Sequence, residues 1–408
     1  MKRGYLSQYF HGIALKNLSA VEANTVTSHQ HEFNGVKALR KILGEPDGKE
    51  RYPTQFLYLT DHGAEPVTEE GSLTWYDARQ KARLERGVRR WECRLYFPTN
   101  TVMQYANEGD ILVIAKRTDD TLLAIVAEAD TTISRQLIWL FGFSDSLHPG
   151  FSIREELEAE QDRIEFVSRV ILESIGIIVE EIEETFLDDM LNRFNGTFPT
   201  TKIFSAYARS TLSPLTPGDG ADDVLMAWME REEILFRTLE KHLIGERLSN
   251  GFDGDVDGFL SFSLSVQNRR KSRAGLALEN HLEMLFQECG IRYSRTPITE
   301  NKAKPDFVFP GAEEYHDPSY NETLLTMLGV KFSCKDRWRQ VLSEADRIDK
   351  KHLLTLEAAI SVNQTEEMQA KQLQLVVPKS LHKTYNARQQ NWLMNVENFT
   401  EFVLEKQV

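Results

Sequence analysis

Three side chains in the C-terminal half, Asp306, Lys331 and Glu344, are of the types that hydrolysis of a phosphate ester uses. Carboxylates hold a hard divalent cation, and a lysine beside them orients or deprotonates a water. Asp306 opens the apolar run Lys304-Pro305-Asp306-Phe307-Val308-Phe309, which reads as a strand over 305–309. Period-two alternation there puts Phe307 and Phe309 on one face and Asp306 and Val308 on the other. A second strand is read over 327–334, with Val330, Phe332 and Cys334 inward and Lys331, Ser333 and Lys335 opposite. A lysine inside an apolar strand is costly unless something uses its charge; the plainer alternative is a side chain that snorkels to water. Residues 336–350 read as a helix with the apolar stripe Trp338, Val341, Leu342, Ala345 and Ile348. Its other side carries Arg337, Gln340, Glu344 and Arg347, where a glutamate is ordinarily just solvated.

Together these residues resemble a PD-(D/E)xK nuclease centre with one substitution. The motif's second acid, two residues before the lysine, is Gly329 here, and Glu344 on the following helix would replace it. The resemblance implies Mg²⁺ held by Asp306 and Glu344, with Glu279 on an upstream helix (274–287) as a further acidic ligand.

A more specific likeness follows. Residues 268–275 (NRRKSRAG), Leu278-Glu279, 281–286, 303–310 (AKPDFVFP), Tyr315-His316-Asp317, 335–340 (KDRWRQ), 344–346 and 376–383 resemble, in order and spacing, the catalytic domain of the EcoRII restriction endonuclease family. The resemblance covers roughly residues 197–408. It implies an α/β restriction-endonuclease-like fold, a mixed sheet flanked by helices, acting on double-stranded DNA. The family's catalytic set falls on Asp306, Lys331 and Glu344, with Glu279, Tyr315 and Lys335 in the same neighbourhood. Lys335, Asp336 and Arg337 would read bases: Lys and Arg donate to guanine O6 and N7, and Asp accepts from cytosine N4. The implied target is a short palindrome with adjacent G·C pairs, of CC…GG type. Arg269, Arg270 and Arg273 are expected on phosphates. One departure is the helix before them, where Trp228, Met229, Arg231 and Phe236 differ in arrangement from the family's base-flipping residues.

The elements that must position this set lie in a chain of 408 residues, long enough for two or three domains. Residues 1–150 read as a mostly-β domain, with strands over 55–60, 72–77, 93–97, 110–116 and 122–127. Its faint likeness to the family's N-terminal part suggests a DNA-binding pseudobarrel for a second DNA copy, with Arg79 and Arg83 in the basic stretch 79–90 as contacts. A barrel with another ligand or a dimerising role is the alternative. His29 and His31 lack partner ligands in sequence and read as structural. Residues 151–196 form an acidic, helical connector, with 13 Asp/Glu against 3 Lys/Arg between Arg154 and Asp189. This stretch explains most of the net charge of −14, which therefore does not exclude a nucleic acid partner. Ser210–Asp223 is the strongest loop signal, and a helix over 224–243 follows.

No apolar run reaches the ~18 residues of a membrane span, and a signal-peptide core is missing at the start. Cys93, Cys289 and Cys334 form no CxxC pair, as expected of reduced thiols in a cytoplasm rather than a zinc site. One centre per chain and two cuts per palindrome imply a homodimer. The competing readings are a nuclease that acts on DNA bearing 5-methylcytosine and a DNA-binding protein with an idle centre.

Overall fold

The computed structural model describes residues 2, 4–34, 36–61, 66–87, 91–144, 150–179, 184–334 and 338–407. The chain divides into two compact units: residues 1–178 with 359–363, and residues 179–358 with 364–408.

In the first unit β1 (Phe10–Asn17), β2 (Glu32–Phe33), β3 (Lys49–Leu59), β4 (Val67–Asp77), β5 (Cys93–Tyr96), β6 (Ile111–Arg117), β7 (Leu122–Ala127) and β8 (Ser152–Arg154) build one sheet. Its order is β2-β5-β4-β3-β7-β6-β1-β8. Only β3 and β7 run parallel. All five expected strands are present. β3 and β4 start earlier than their apolar stretches because the polar ends, including Pro53 opposite Ser72, continue the same antiparallel ladder. Buried Phe33, Phe56, Trp75, Leu95, Phe97 and Ile114 lie in one core. Every residue of β7 is buried, which suits its continuous apolar sequence. The acidic stretch is not one helix: it supplies β8, the helix Phe166–Ser174 and, in the second unit, the helix Leu187–Phe194.

The second unit is a five-stranded mixed sheet with helices. β9 (Ser294–Arg295), β10 (Phe307–Phe309), β11 (Thr326–Lys331), β12 (Lys351–Thr355) and β13 (Leu373–Val376) lie in the order β13-β12-β11-β10-β9. β11, β12 and β13 are parallel, while β10 pairs antiparallel with β11 and β9. Because both faces are covered, Phe307, Val308 and Phe309 are all buried, rather than only alternate ones. Phe286 meets Phe307 and Phe309 edge-on.

Two helices are longer than their periodicity suggests. One runs Ala221–Asn250 and the other Val256–Glu288, the latter eighteen residues ahead of its expected start. Gly258 and the exposed Phe259, Leu260 and Leu264 blur the amphipathic pattern there. A larger difference follows β11. Of the helix expected over 336–350, only Trp338–Val341 is helical among the described residues, and β12, which carries the middle of the parallel ladder, was not expected as a strand. Trp338, Val341, Ala345 and Ile348 are buried as the stripe requires, but Ala345 takes a left-handed backbone (φ 52°) that no continuous helix contains. The apolar spacing thus serves a short helix followed by a turn. No helix among the described residues is long and apolar enough to cross a membrane.

Candidate functional site

Asp306 stands immediately before β10, next to β11 in the ladder. Its Oδ2 accepts two hydrogen bonds, from the Val330 N–H at 2.6 Å and from Lys331 Nζ at 2.9 Å. Among the described residues Oδ1 accepts none. The side chains are 14% and 22% exposed, so this is a partly buried ion pair with an open edge. The lysine in an apolar strand is therefore not a snorkelling one, since its charge is held against the aspartate.

Gly329 explains how Glu344 enters. A Cβ at this position would lie 2.8 Å from Val341 Cγ2 and 3.0 Å from its Cγ1. An acid two residues before the lysine would displace the helix Trp338–Val341; glycine lets that helix lie on the strand, and the chain then turns to present Glu344. Contrary to expectation, Glu344 sits in this turn and not on a helix. Burial pushes its carboxyl up to about 7, with Asp306 adding to the rise and Lys331 and Lys351 opposing it. Its Oε2 is buried and has no hydrogen-bond partner among the described residues. A desolvated carboxylate oxygen of this kind is costly unless a cation completes it.

Glu279, on the helix Val256–Glu288, feels the charges of both Asp306 and Lys331, and burial holds its carboxyl above the usual range. Its carboxylate is bound to Arg295 at 2.9 Å, however, and the same guanidinium reaches Glu283 at 2.8 Å. Among the described residues no three His, Cys, Asp or Glu side chains form a metal cage. Glu279, expected as a further acidic ligand, is thus engaged by Arg295, whereas neither Asp306 Oδ1 nor Glu344 Oε2 has a hydrogen-bond partner among the described residues. Two carboxylates suit Mg²⁺, which keeps several waters and binds through one or two carboxylates plus substrate phosphate.

Tyr315 is buried, and its hydroxyl donates to Glu300 Oε2. That oxygen also accepts the Asp346 N–H at 3.2 Å, and the tyrosine oxygen accepts the Arg347 N–H at 3.4 Å. Tyr315 therefore braces the turn that carries Glu344 rather than bonding to the Asp306–Lys331 pair. Lys335, Asp336 and Arg337 lie outside the described residues.

The arginine run is divided in its roles. Arg273 is buried and bound to Glu232 at 2.9 Å, with its guanidinium over Phe204 and Phe236. Arg270 meets the buried Glu240 at 2.7 Å. Both tie the two long helices together; Arg273 is enclosed with its partner, whereas Arg270 remains 36% exposed. Arg269 lies over the ring of Phe198 at 4.4 Å. Trp228, Met229 and Phe236 are buried, while Arg231 bonds Thr211 and covers Phe186.

In the first unit Arg79 bonds Glu92, and Arg83 bonds Asp77 at 2.8 Å while lying 3.3 Å over Trp91. His29 caps the short helix Thr25–Ser28 in a left-handed conformation, and His31 packs on Phe97. Sequence reasoning missed Arg295, Glu300 and Lys351. Only Lys351, at the head of the apolar run 352–356, carried the signal that had singled out Lys331.

Residues 236–400 match the family described as EcoRII C terminal. The chain is 46% identical over 182 residues to the type II restriction enzyme EcoRII of Escherichia coli, which takes in 44% of this chain. The match spans 43% of that relative's length, less than half. Among solved structures, metal-depleted Ecl18kI in complex with uncleaved, modified DNA is 19% identical and has a TM-score of 0.45, covering 55% of this chain and 85% of that one. The restriction endonuclease PspGI–substrate DNA complex is 15% identical with a TM-score of 0.42, covering 51% and 93%.

Proposed function

We propose that this chain is a Mg²⁺-dependent, sequence-specific endonuclease of double-stranded DNA, of the type II restriction class. The observation that carries the reading is the Asp306–Lys331 pair, whose charges act on a buried Glu344 oxygen that has no hydrogen-bond partner among the described residues. The likeness of residues 236–400 to the EcoRII C-terminal family supports it.

Asp306 and Glu344 would hold the cation, whose contribution is to neutralise the scissile phosphate and make a bound water more acidic. Asp306 Oδ2, fixed by the Val330 N–H, holds the Lys331 ammonium in place. Lys331 then donates a hydrogen bond to the attacking water or a phosphate oxygen, and so offsets the charge that develops there. Arg295 keeps Glu279 neutralised beside the pair. Lys335, Asp336 and Arg337 are assigned to base reading at adjacent G·C pairs, and two chains are assigned to the two strands of a palindrome. The first unit is assigned to a second DNA copy, with Arg79 and Arg83 as its candidate contacts.

Sequencing the ends produced from methylated and unmethylated genomic DNA with Mg²⁺ tests this reading. Ends at one short C/G-containing palindrome, absent with chelator, are expected. Cutting of methylated DNA alone would replace it with a modification-dependent nuclease, and no cutting of either DNA would refute it.

A further inference from the structure

The turn that carries Glu344 is gripped from two sides by groups the nuclease reading leaves unused. On one side is Lys351, the first residue of β12, only 7% exposed. Its Nζ donates to the carbonyl of Ala345 at 3.1 Å and to that of Ile348 at 2.8 Å. Among the described residues no carboxylate forms an ion pair with it, although its charge reaches Glu344 and favours the ionised form there. A buried ammonium hydrogen-bonded to two neutral carbonyls, with Asp346, Asp349, Glu344 and Glu300 acting on it only through their charge, is an expensive way to close a turn, since a leucine would fill the space without desolvating a charge. On the other side is Glu300, whose Oε2 takes the Asp346 N–H and the Tyr315 hydroxyl. Between the two grips Ala345 is held in its left-handed conformation, one residue beyond Glu344.

Resting on the nuclease reading above, we propose that Lys351 is a positioning residue for Glu344: it locks the turn through two carbonyls so that the carboxylate is pre-set for a divalent cation, with Glu300 as the opposing half of the clamp. Groups that orient a ligand from behind in this way are commonly worth 10- to 100-fold in metal affinity. The residue touches neither substrate nor metal, so its loss is read in metal dependence and not in DNA affinity.

The test uses the full chain with Lys351→Met, which keeps length and apolar bulk, and Glu300→Ala, which releases the turn from the other side should the first variant fail to fold. Mn²⁺ alone is titrated into each protein by calorimetry, and single-turnover cleavage is followed against Mg²⁺ concentration. Either folded variant should bind Mn²⁺ about tenfold more weakly and need about tenfold more Mg²⁺ for half-maximal cutting, with metal-free DNA binding within about twofold of the parent. Unchanged Mn²⁺ affinity and an unchanged Mg²⁺ midpoint in a folded variant would overturn the proposal, even if the melting temperature fell. Because the Mn²⁺ titration does not depend on cleavage, weakened Mn²⁺ binding alongside a parent protein that cuts no DNA would refute the nuclease reading alone and uphold the clamp.

Discussion

Replacing Glu344 with glutamine should make the metal-free protein more stable while abolishing its cutting. The carboxyl is moved from 4.5 to about 7 by the fold, chiefly through burial. At about 1.4 kcal/mol per tenfold change in proton affinity, the ionised group then withholds about 3 kcal/mol from the folded state. The site is partly open to solvent, so the recoverable part is about 1–3 kcal/mol. The folded protein holds this proton more tightly than the unfolded chain does. Its contribution is therefore most favourable below about 4.5, declines as pH rises, and is constant above about 7. Glutamine keeps the shape and never ionises. The assay is thermal unfolding of parent and Glu344→Gln in chelator at pH 8.5 and at pH 5. A unit of this size gains roughly 2–4 °C per kcal/mol, so the variant should melt several degrees higher at pH 8.5, with the gap narrowing toward pH 5. Mg²⁺ should raise the parent's melting temperature and leave the variant's alone. A variant no more stable than the parent at pH 8.5, or a gap that ignores pH, would show that Glu344 is not held at a desolvation cost.

Asp306→Ala and Lys331→Ala should each abolish cutting in a cleavage assay and leave specific DNA binding largely intact; full cleavage by either would remove the assigned centre. Gly329→Ala should cost about 1–3 kcal/mol in urea unfolding, because its Cβ meets Val341 at 2.8 Å, and an unchanged midpoint would refute the close packing. Arg273→Ala removes the guanidinium from buried Glu232 and leaves it only the 2.9 Å contact with His281, so it should destabilise the protein by about 2–4 kcal/mol, whereas a phosphate contact would lose DNA affinity with stability preserved. Lys335→Ala or Arg337→Ala should relax the cutting specificity by about 1–3 kcal/mol per contact, measured as relative cleavage of sites with one changed base pair.

What the sequence determined by itself was mostly local. Strand-forming runs such as Leu122–Ala127 and the Asp306 strand carry their signal in side-chain type and alternation, so their positions were legible. So was the partnership of Asp306 with Lys331, because a charge in an apolar strand calls for a partner. The stripe Trp338, Val341, Ala345 and Ile348 correctly marked buried positions but could not say whether one helix or a helix and a turn buries them.

That was decided by tertiary structure. The chain has nine residues between Val341 and Lys351 in which to reverse and enter β12 parallel to β11, and left-handed Ala345 with the Lys351 bonds makes that reversal. The arginine run shows the same limit in electrostatics. Its sequence reads as a basic surface, but Glu232 and Glu240, 41 and 30 residues away, claim Arg273 and Arg270. Local sequence encodes what a residue can do; which long-range partner claims it depends on packing between elements, and packing is what brought Glu344 into the field of Asp306 and Lys331.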